Sequence, residues 1–229
     1  MKRPVPHTAI SFAGAIFDLD GTLLDSTGLW AKVDADFFTK RGMKVPESYH
    51  TEIAGMGFAA CASYTVSKWF PGESPQKVAE EWKTAAKEAY ETSVGLKDGA
   101  GGYLRLLKEK NIRLGVATAL SRDFLTPALK RLGIFDLFDA ILSTDDLPGL
   151  GKEDGRLYAM AAEALGLPPS SCVAFEDSLV GITAAKAAGV RCFAIADPGA
   201  DRDREKILRI ADGFFASFSE APFPFLHDT

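Results

Sequence analysis

Two aspartates separated by one residue carry the clearest chemistry in this sequence: Asp18 and Asp20, followed by Gly21 and Thr22. Carboxylates held close together repel each other, so a nearby positive charge must keep both ionised, or one must keep its proton. A Mg²⁺ ion meets this need, because it prefers oxygen ligands and binds few protein carboxylates. The pair therefore predicts a nucleophile beside an acid/base. A charged turn after a core strand is the simpler alternative.

Three further polar segments occur later in the chain. Thr118 follows the apolar run 112–117 and precedes a predicted helix. A hydroxyl and free backbone N–H groups at such a place can bind a phosphoryl oxygen. Lys152 precedes an amphipathic segment, and Glu176 and Asp177 follow another apolar run. Taken singly, these residues have ordinary alternatives, namely a helix cap, a solvated surface charge and an acidic cap of the next helix.

Short apolar runs rich in Val, Ile and Phe alternate with helical patterns along much of the chain. The predicted strands are 13–17, 112–117, 140–142, 172–175, 191–196 and 213–218. Strand and helix in alternation predict an α/β fold, a Rossmann-like parallel sheet flanked by helices. Such sheets carry their chemistry beyond the carboxyl ends of the strands, which is where the polar segments lie.

Residues 28–93 have a different pattern, with apolar residues at helical spacing and no evident strand. We therefore expect an all-helical domain at 28–93, inserted after the first strand of the sheet. Residues 1–27 and 94–229 form the predicted α/β core domain with the active site.

Composition narrows the classes of function. The chain has 229 residues, of which 47% are hydrophobic and 25% charged, as in ordinary globular proteins with a sizeable core. A net charge of -5 argues against binding to nucleic acid or to an anionic membrane surface. The three cysteines are widely spaced and fit buried thiols in a reducing cytoplasm, and no stretch approaches the length of a membrane span.

The order of the polar segments resembles the haloacid dehalogenase-like superfamily of hydrolases. The resemblance covers nearly the whole chain, and it is to the helical-cap subfamily, similar to β-phosphoglucomutase and phosphoglycolate phosphatase. It rests on Asp18-Leu19-Asp20-Gly21-Thr22, then Thr118, then Lys152, then Glu176-Asp177-Ser178, and on the family-typical run 175–189. The helical insert occupies the position of the family's cap domain.

The resemblance implies a role for each matching residue. Asp18 is implied as the nucleophile that becomes an aspartyl-phosphate, and Asp20 as the acid that protonates the leaving group and then activates water. Thr118, the backbone N–H of Ala119 and Lys152 are implied as binding groups for the phosphoryl oxygens. Lys152 is also implied to neutralise charge during catalysis.

The same resemblance implies a Mg²⁺ cofactor. Its implied ligands are the Asp18 carboxylate, the Asp20 backbone carbonyl and Asp177, with Glu176 nearby through water. Two positions depart from the family pattern. Glu153 follows Lys152 where proline is usual, and Ala119 replaces a frequent second hydroxyl residue.

These roles predict a Mg²⁺-dependent phosphatase that acts on a small phosphorylated metabolite as a monomer. The alternative is a sugar-phosphate mutase of the β-phosphoglucomutase type. Such mutases have a cap histidine where this chain has Trp30, and a cap arginine near Met56-Gly57-Phe58. A non-catalytic, regulatory protein on the same fold is the alternative from another class. We also expect Trp30, Met56 and Phe58 to line the substrate side of the cap, although Trp30 and Phe58 equally fit its core.

Overall fold

The computed structural model describes residues 10–53, 56, 58–147, 149 and 151–224. Residues 1–9 and 225–229 of the predicted core domain, and Gly57, lie outside the described residues. The chain divides into two compact units. Met1–Thr27 with Val94–Thr229 is called the α/β unit below, and Gly28–Ser93 is called the helical unit.

The α/β unit is built on a six-stranded parallel sheet. In chain order the strands are β1 (Gly14–Phe17), β2 (Leu24–Asp25), β3 (Gly95–Leu96), β4 (Arg113–Thr118), β5 (Ala140–Ser143), β6 (Cys172–Glu176), β7 (Arg191–Ile195) and β8 (Gly213–Phe215). The sheet order is β5-β4-β1-β6-β7-β8, and every neighbouring pair in it is parallel. Strands β2 and β3 form a separate antiparallel ribbon.

Helices account for most of the remaining regular structure. The helical unit contains α1 (Leu29–Lys40), α2 (Tyr49–Glu52), α3 (Phe58–Trp69) and α4 (Pro75–Thr92). The α/β unit contains α5 (Ala100–Glu109), α6 (Arg122–Arg131), α7 (Arg156–Ala164), α8 (Leu179–Ala187) and α9 (Arg204–Ile210). Among the described residues, no helix combines the length and the apolar character that a membrane span requires.

The sheet of the α/β unit is covered on both faces. Successive residues of a strand point to opposite faces of the sheet, so neighbouring residues of β1 enter different layers. Ile16 of β1 belongs to a buried cluster with side chains of α7, α8 and α9. The next residue, Phe17, instead stacks on Phe175 with ring centroids 4.8 Å apart and meets Tyr103 of α5 edge-on. Two apolar layers therefore hold the central strands in place beneath the candidate site.

The helical unit has its own aromatic core. Phe37 and Phe38 of α1 are buried and contact aromatic rings of the other helices, mostly edge-on. Helix α4 begins where Ser74 accepts a hydrogen bond from the backbone N–H of Lys77, and Pro75 occupies the first helical position. Proline is favoured there because its missing N–H would have no partner within the helix.

The predicted fold class is confirmed, with an α/β parallel sheet and an inserted helical domain. Strand β1 ends at Phe17, because the chain then turns and the carbonyl of Leu19 accepts the N–H groups of Thr22 and Leu24. One predicted strand limit is wrong by more than one residue. Strand β8 ends at Phe215, since a short 3₁₀ turn begins at Phe218. The β2–β3 ribbon was not expected, because two-residue strands leave no periodic signal.

Candidate active site

The carboxyl ends of β1, β4 and β6 lie side by side at one edge of the sheet. Strand β1 lies between the other two, and Phe17 is in register with Val116 of β4 and with Phe175 of β6. Asp18 is therefore level with the last residues of both neighbours. This register brings Asp18 close to Thr118 on one side and to the acidic pair on the other.

Asp18 is a buried carboxylate, with 1% of its surface exposed. Its Oδ1 lies 2.9 Å from Nζ of Lys152, yet neither oxygen accepts a well-aligned hydrogen bond from the described residues. Burial, together with the carboxylates of Glu176 and Asp177, raises the pKa of Asp18 well above its ordinary value, although Lys152 acts in the opposite direction. This carboxylate is therefore available to bind a cation or to attack an electrophile.

Lys152 lies between two carboxylates. Its Nζ is 2.9 Å from Oδ1 of Asp18 and 2.7 Å from Oε1 of Glu176. Burial lowers the pKa of this ammonium, but the neighbouring carboxylates outweigh burial and raise the pKa above its ordinary value. The lysine therefore stays protonated. Glu153 is exposed and sits in a turn closed by a hydrogen bond from Asp154 N–H to Gly151 O, so the missing proline does not remove Lys152 from the site.

Asp177 packs against the turn that follows Asp18. Its Oδ1 accepts a hydrogen bond from the Thr22 hydroxyl at 3.1 Å. Gly21 has a φ of +75°, and a Cβ at this position would lie 2.5 Å from Oδ2 of Asp177, so both the backbone and the close approach require glycine. Burial and the Glu176 carboxylate raise the pKa of Asp177 to about 7, with Lys152 opposing them.

The carboxylates at this edge can hold a divalent cation. One carboxylate oxygen from each of Asp18, Glu176 and Asp177 lies within 4.8 Å of the other two. The oxygens of Asp18 suit a cation, since they are buried and accept no well-aligned hydrogen bond from the described residues. Mg²⁺ fits a site made of few carboxylates. The structure thus brings Asp18 and Asp177 together, and the part assigned to the Asp20 carbonyl stays a prediction.

Asp20 is half-buried and lies in the turn after β1. Its Oδ1 accepts a hydrogen bond from the Ser26 hydroxyl at 2.8 Å. This bond orients one oxygen of the predicted acid/base. Ser26 follows the apolar Leu24 by two residues, and no sequence pattern indicates that its hydroxyl turns back toward Asp20.

The end of β4 supplies the predicted phosphoryl-binding groups. Thr118 is 1% exposed, and its Oγ1 accepts the backbone N–H of Leu120 at 3.1 Å. Ala119 is exposed, and the following helix α6 begins after Ser121. The Ser121 hydroxyl is buried without a hydrogen-bond partner among the described residues. The sequence analysis did not name Ser121 as a candidate site residue. Its position just before a predicted helix and close to Thr118 could have indicated it.

The sequence belongs to a known family. A model of the haloacid dehalogenase-like hydrolases matches residues 15–195, most of the chain. This protein is therefore a member of that hydrolase family, as the order of the motifs predicted.

Two curated relatives and one solved structure illustrate the similarity. Validoxylamine A 7'-phosphate phosphatase of Streptomyces hygroscopicus subsp. limoneus is 34% identical over 79% of this chain and 84% of the relative. Hexitol phosphatase B of Escherichia coli K12 is 32% identical over 90% of this chain and 92% of the relative. A crystal structure of an HAD family hydrolase from Deinococcus radiodurans R1, with bound phosphate and sodium, is 28% identical with a TM-score of 0.74. The match covers 91% of this chain and 93% of that one.

The affinity for Mg²⁺ is expected to increase as the pH rises through about 7. Asp177 has a pKa of about 7 without metal, and a carboxylate must lose its proton before it binds a cation. Below that pKa the dissociation constant should fall at least about tenfold for each unit by which the pH rises. The rise in affinity should end only where Asp18, whose pKa is also raised, has lost its proton. Calorimetric titration with MgCl₂ across this range measures the effect. An affinity independent of pH would contradict the assignment of Asp177 as a ligand.

Proposed function

We propose that this protein is a Mg²⁺-dependent phosphatase that hydrolyses a small phosphate monoester through an aspartyl-phosphate on Asp18. The observation that carries the proposal is the state of Asp18. It is a buried carboxylate whose two oxygens accept no well-aligned hydrogen bond from the described residues, and a protonated lysine lies beside it. Phosphoryl transfer needs mainly positioning and positive charge, because an anionic nucleophile must approach an anionic ester.

The residues at the sheet edge fit the cation that this chemistry requires. Asp18 and Asp177, with the Asp20 backbone carbonyl, would hold Mg²⁺. When bound, the ion supplies positive charge to the nucleophile and to the phosphoryl oxygens.

Each step of the proposed reaction uses groups of this chain. A carboxylate oxygen of Asp18 attacks phosphorus while the carboxylic acid of Asp20 protonates the departing alkoxide. The ionised Asp20 then takes a proton from water, which attacks phosphorus and releases phosphate, so Asp18 is regenerated. Lys152, the Thr118 hydroxyl and the N–H of Ala119 orient the phosphoryl oxygens and balance their charge.

The two curated relatives support a phosphorylated sugar or polyol as substrate, since one is named for validoxylamine A 7'-phosphate and the other for hexitols. Trp30 and Phe58 of the helical unit are 40% and 43% exposed, with ring centroids 5.7 Å apart. Met56 is 37% exposed. We propose that these apolar side chains select the organic part of the substrate. We also propose that the protein acts as a monomer in the cytoplasm.

Hydrolysis of p-nitrophenyl phosphate with and without Mg²⁺ tests the reaction class, and a panel of phosphorylated sugars and polyols tests the substrate. Phosphate release that depends on Mg²⁺ and is absent in Asp18→Asn supports the proposal. Conversion of β-glucose 1-phosphate to glucose 6-phosphate would identify a mutase instead. Wild-type protein with no activity above the variant would favour a regulatory role.

The variant Asp20→Asn is expected to release p-nitrophenolate in a burst of about one equivalent per enzyme and then turn over slowly. Nitrophenolate leaves without a proton, so the first step survives, whereas the second step lacks the base that activates water. Stopped-flow absorbance measures the burst. An alkyl phosphate should give no burst with this variant, and equal rates on both substrates would argue against the role of Asp20.

A further inference from the structure

Glu176 is a buried carboxylate whose oxygens are fully occupied by protein donors. Its Oε2 accepts hydrogen bonds from the Asp177 N–H, the Ser178 N–H and the Ser178 hydroxyl, all at 2.9 Å. Its Oε1 accepts the Tyr158 hydroxyl at 2.8 Å and lies 2.7 Å from Nζ of Lys152. A carboxylate offers about four lone-pair positions, so five donors leave none for a cation. Glu176 therefore acts on Lys152 rather than on a metal.

The residues packed around Glu176 hold its carboxylate in this position. Gly181, in the first turn of α8, lies against the carboxylate so closely that a Cβ there would overlap Oε1. The Ser178 hydroxyl donates to Oε2 of Glu176 and also accepts the N–H of Gly181 at 3.1 Å. The carboxylate is thus fixed from the side of α8, and besides Lys152 its one remaining donor comes from α7.

Tyr158 supplies that donor. The residue is fully buried on α7, within the apolar cluster that covers one face of the sheet. Burial, with the Glu176 carboxylate close by, raises the pKa of Tyr158 well above its ordinary value. The hydroxyl therefore stays protonated and donates a hydrogen bond to Oε1. Tyr158 and Lys152 therefore share one oxygen of Glu176.

We propose that Tyr158 is a positioning residue that keeps the ammonium of Lys152 within reach of Asp18. An ammonium binds a carboxylate oxygen more strongly when no other donor shares that oxygen. Without the Tyr158 hydroxyl, Lys152 binds more tightly to Glu176 and less closely to Asp18. This inference rests on the proposed function, because it assigns the consequence to phosphoryl transfer.

The variant Tyr158→Phe tests the inference, since it removes only the hydroxyl. We expect kcat to fall about tenfold, less than for the loss of a group that touches the transition state directly. The KM for substrate should change less than about twofold, because the charges of the site are unaltered. The dissociation constant of Mg²⁺ should not rise, because Glu176 is not a ligand and Asp18 only loses a competing cation.

Tyr103→Phe is the matched control. Tyr103 is a buried tyrosine of the same unit, and its hydroxyl donates to the carbonyl of Pro222 at 2.7 Å. Both variants lose one buried hydrogen bond, so both should lower the melting temperature, but only Tyr158→Phe should lower kcat. Equal kcat in the two variants would overturn the inference. Weaker Mg²⁺ binding in Tyr158→Phe would also overturn it, because it would make Glu176 a ligand.

A second readout does not depend on activity. If Tyr158 and Lys152 share Oε1, the changes in melting temperature caused by Tyr158→Phe and Lys152→Met should be non-additive in the double variant. Tyr103→Phe and Lys152→Met should be additive. Additivity in both pairs would refute the shared contact, whereas an inactive wild-type protein with non-additive Tyr158 and Lys152 would refute only the proposed function.

Discussion

Replacing Asp18 by asparagine is expected to lower kcat at least about 10⁴-fold, because an amide cannot form the phosphoryl ester that the carboxylate forms. Asparagine has nearly the same size, so the packing around this buried position is preserved. Initial rates with p-nitrophenyl phosphate at saturating Mg²⁺ measure the effect. A residual activity within about tenfold of wild type would exclude Asp18 as the nucleophile.

The same substitution should raise the melting temperature in the absence of Mg²⁺. The pKa of Asp18 is raised in the folded protein, so ionisation of this carboxylate costs stability as the pH rises through that pKa. A neutral amide in its place would remove this cost. The gain should be largest at neutral and higher pH and should vanish below the ordinary aspartate pKa of about 4, where both states are protonated. Thermal melts in EDTA at several pH values check the sign, and a lower melting temperature at neutral pH would contradict it.

Lys152→Met is expected to lower kcat by about 10³-fold or more, since it removes the cation that balances Asp18 and the phosphoryl group. It should also lower the free energy of unfolding by about 3 kcal/mol, because the buried carboxylates of Asp18 and Glu176 lose their partner. Urea unfolding and steady-state kinetics on the same preparation measure the two effects.

The variant Lys97→Met is the control that distinguishes a loss of stability from a loss of catalysis. The Lys97 side chain is 13% exposed and its Nζ lies 2.6 Å from Oδ2 of Asp197, which is 3% exposed, so this pair resembles the Lys152 pair in burial. Its loss should destabilise the protein to a similar extent, about 3 kcal/mol, with much less effect on kcat. If both lysine variants lost activity equally, the loss in Lys152→Met would reflect stability alone.

The positions of the main site residues could be predicted, because the carboxyl ends of parallel strands all lie at one edge of the sheet. Asp18 and Thr118 each lie at the end of a predicted strand, and the register of β1 with β4 and β6 brings those ends together. Lys152 was harder to place from local pattern, since a lysine in a loop is usually solvated. The family resemblance supplied its role, and the structure shows its two carboxylate partners.

The hydroxyl contacts could not be predicted, because they depend on packing between distant segments. Tyr158 has helical spacing with the core positions of α7, and an apolar face does not reveal that a phenol oxygen meets Glu176. The end of β8 was misplaced for a similar reason. Phe218 is apolar and buried, as a strand residue would be, but it belongs to a short 3₁₀ turn.

The phosphorylated side chain can be identified directly. Asp20→Asn mixed with p-nitrophenyl phosphate and Mg²⁺ is quenched in acid and reduced with borohydride, which converts an aspartyl-phosphate into homoserine. Peptide mass spectrometry then locates the homoserine. We predict homoserine at position 18, only when substrate and Mg²⁺ are both present. Homoserine at another aspartate, or none at all in a variant that has released a burst of nitrophenolate, would contradict covalent catalysis by Asp18.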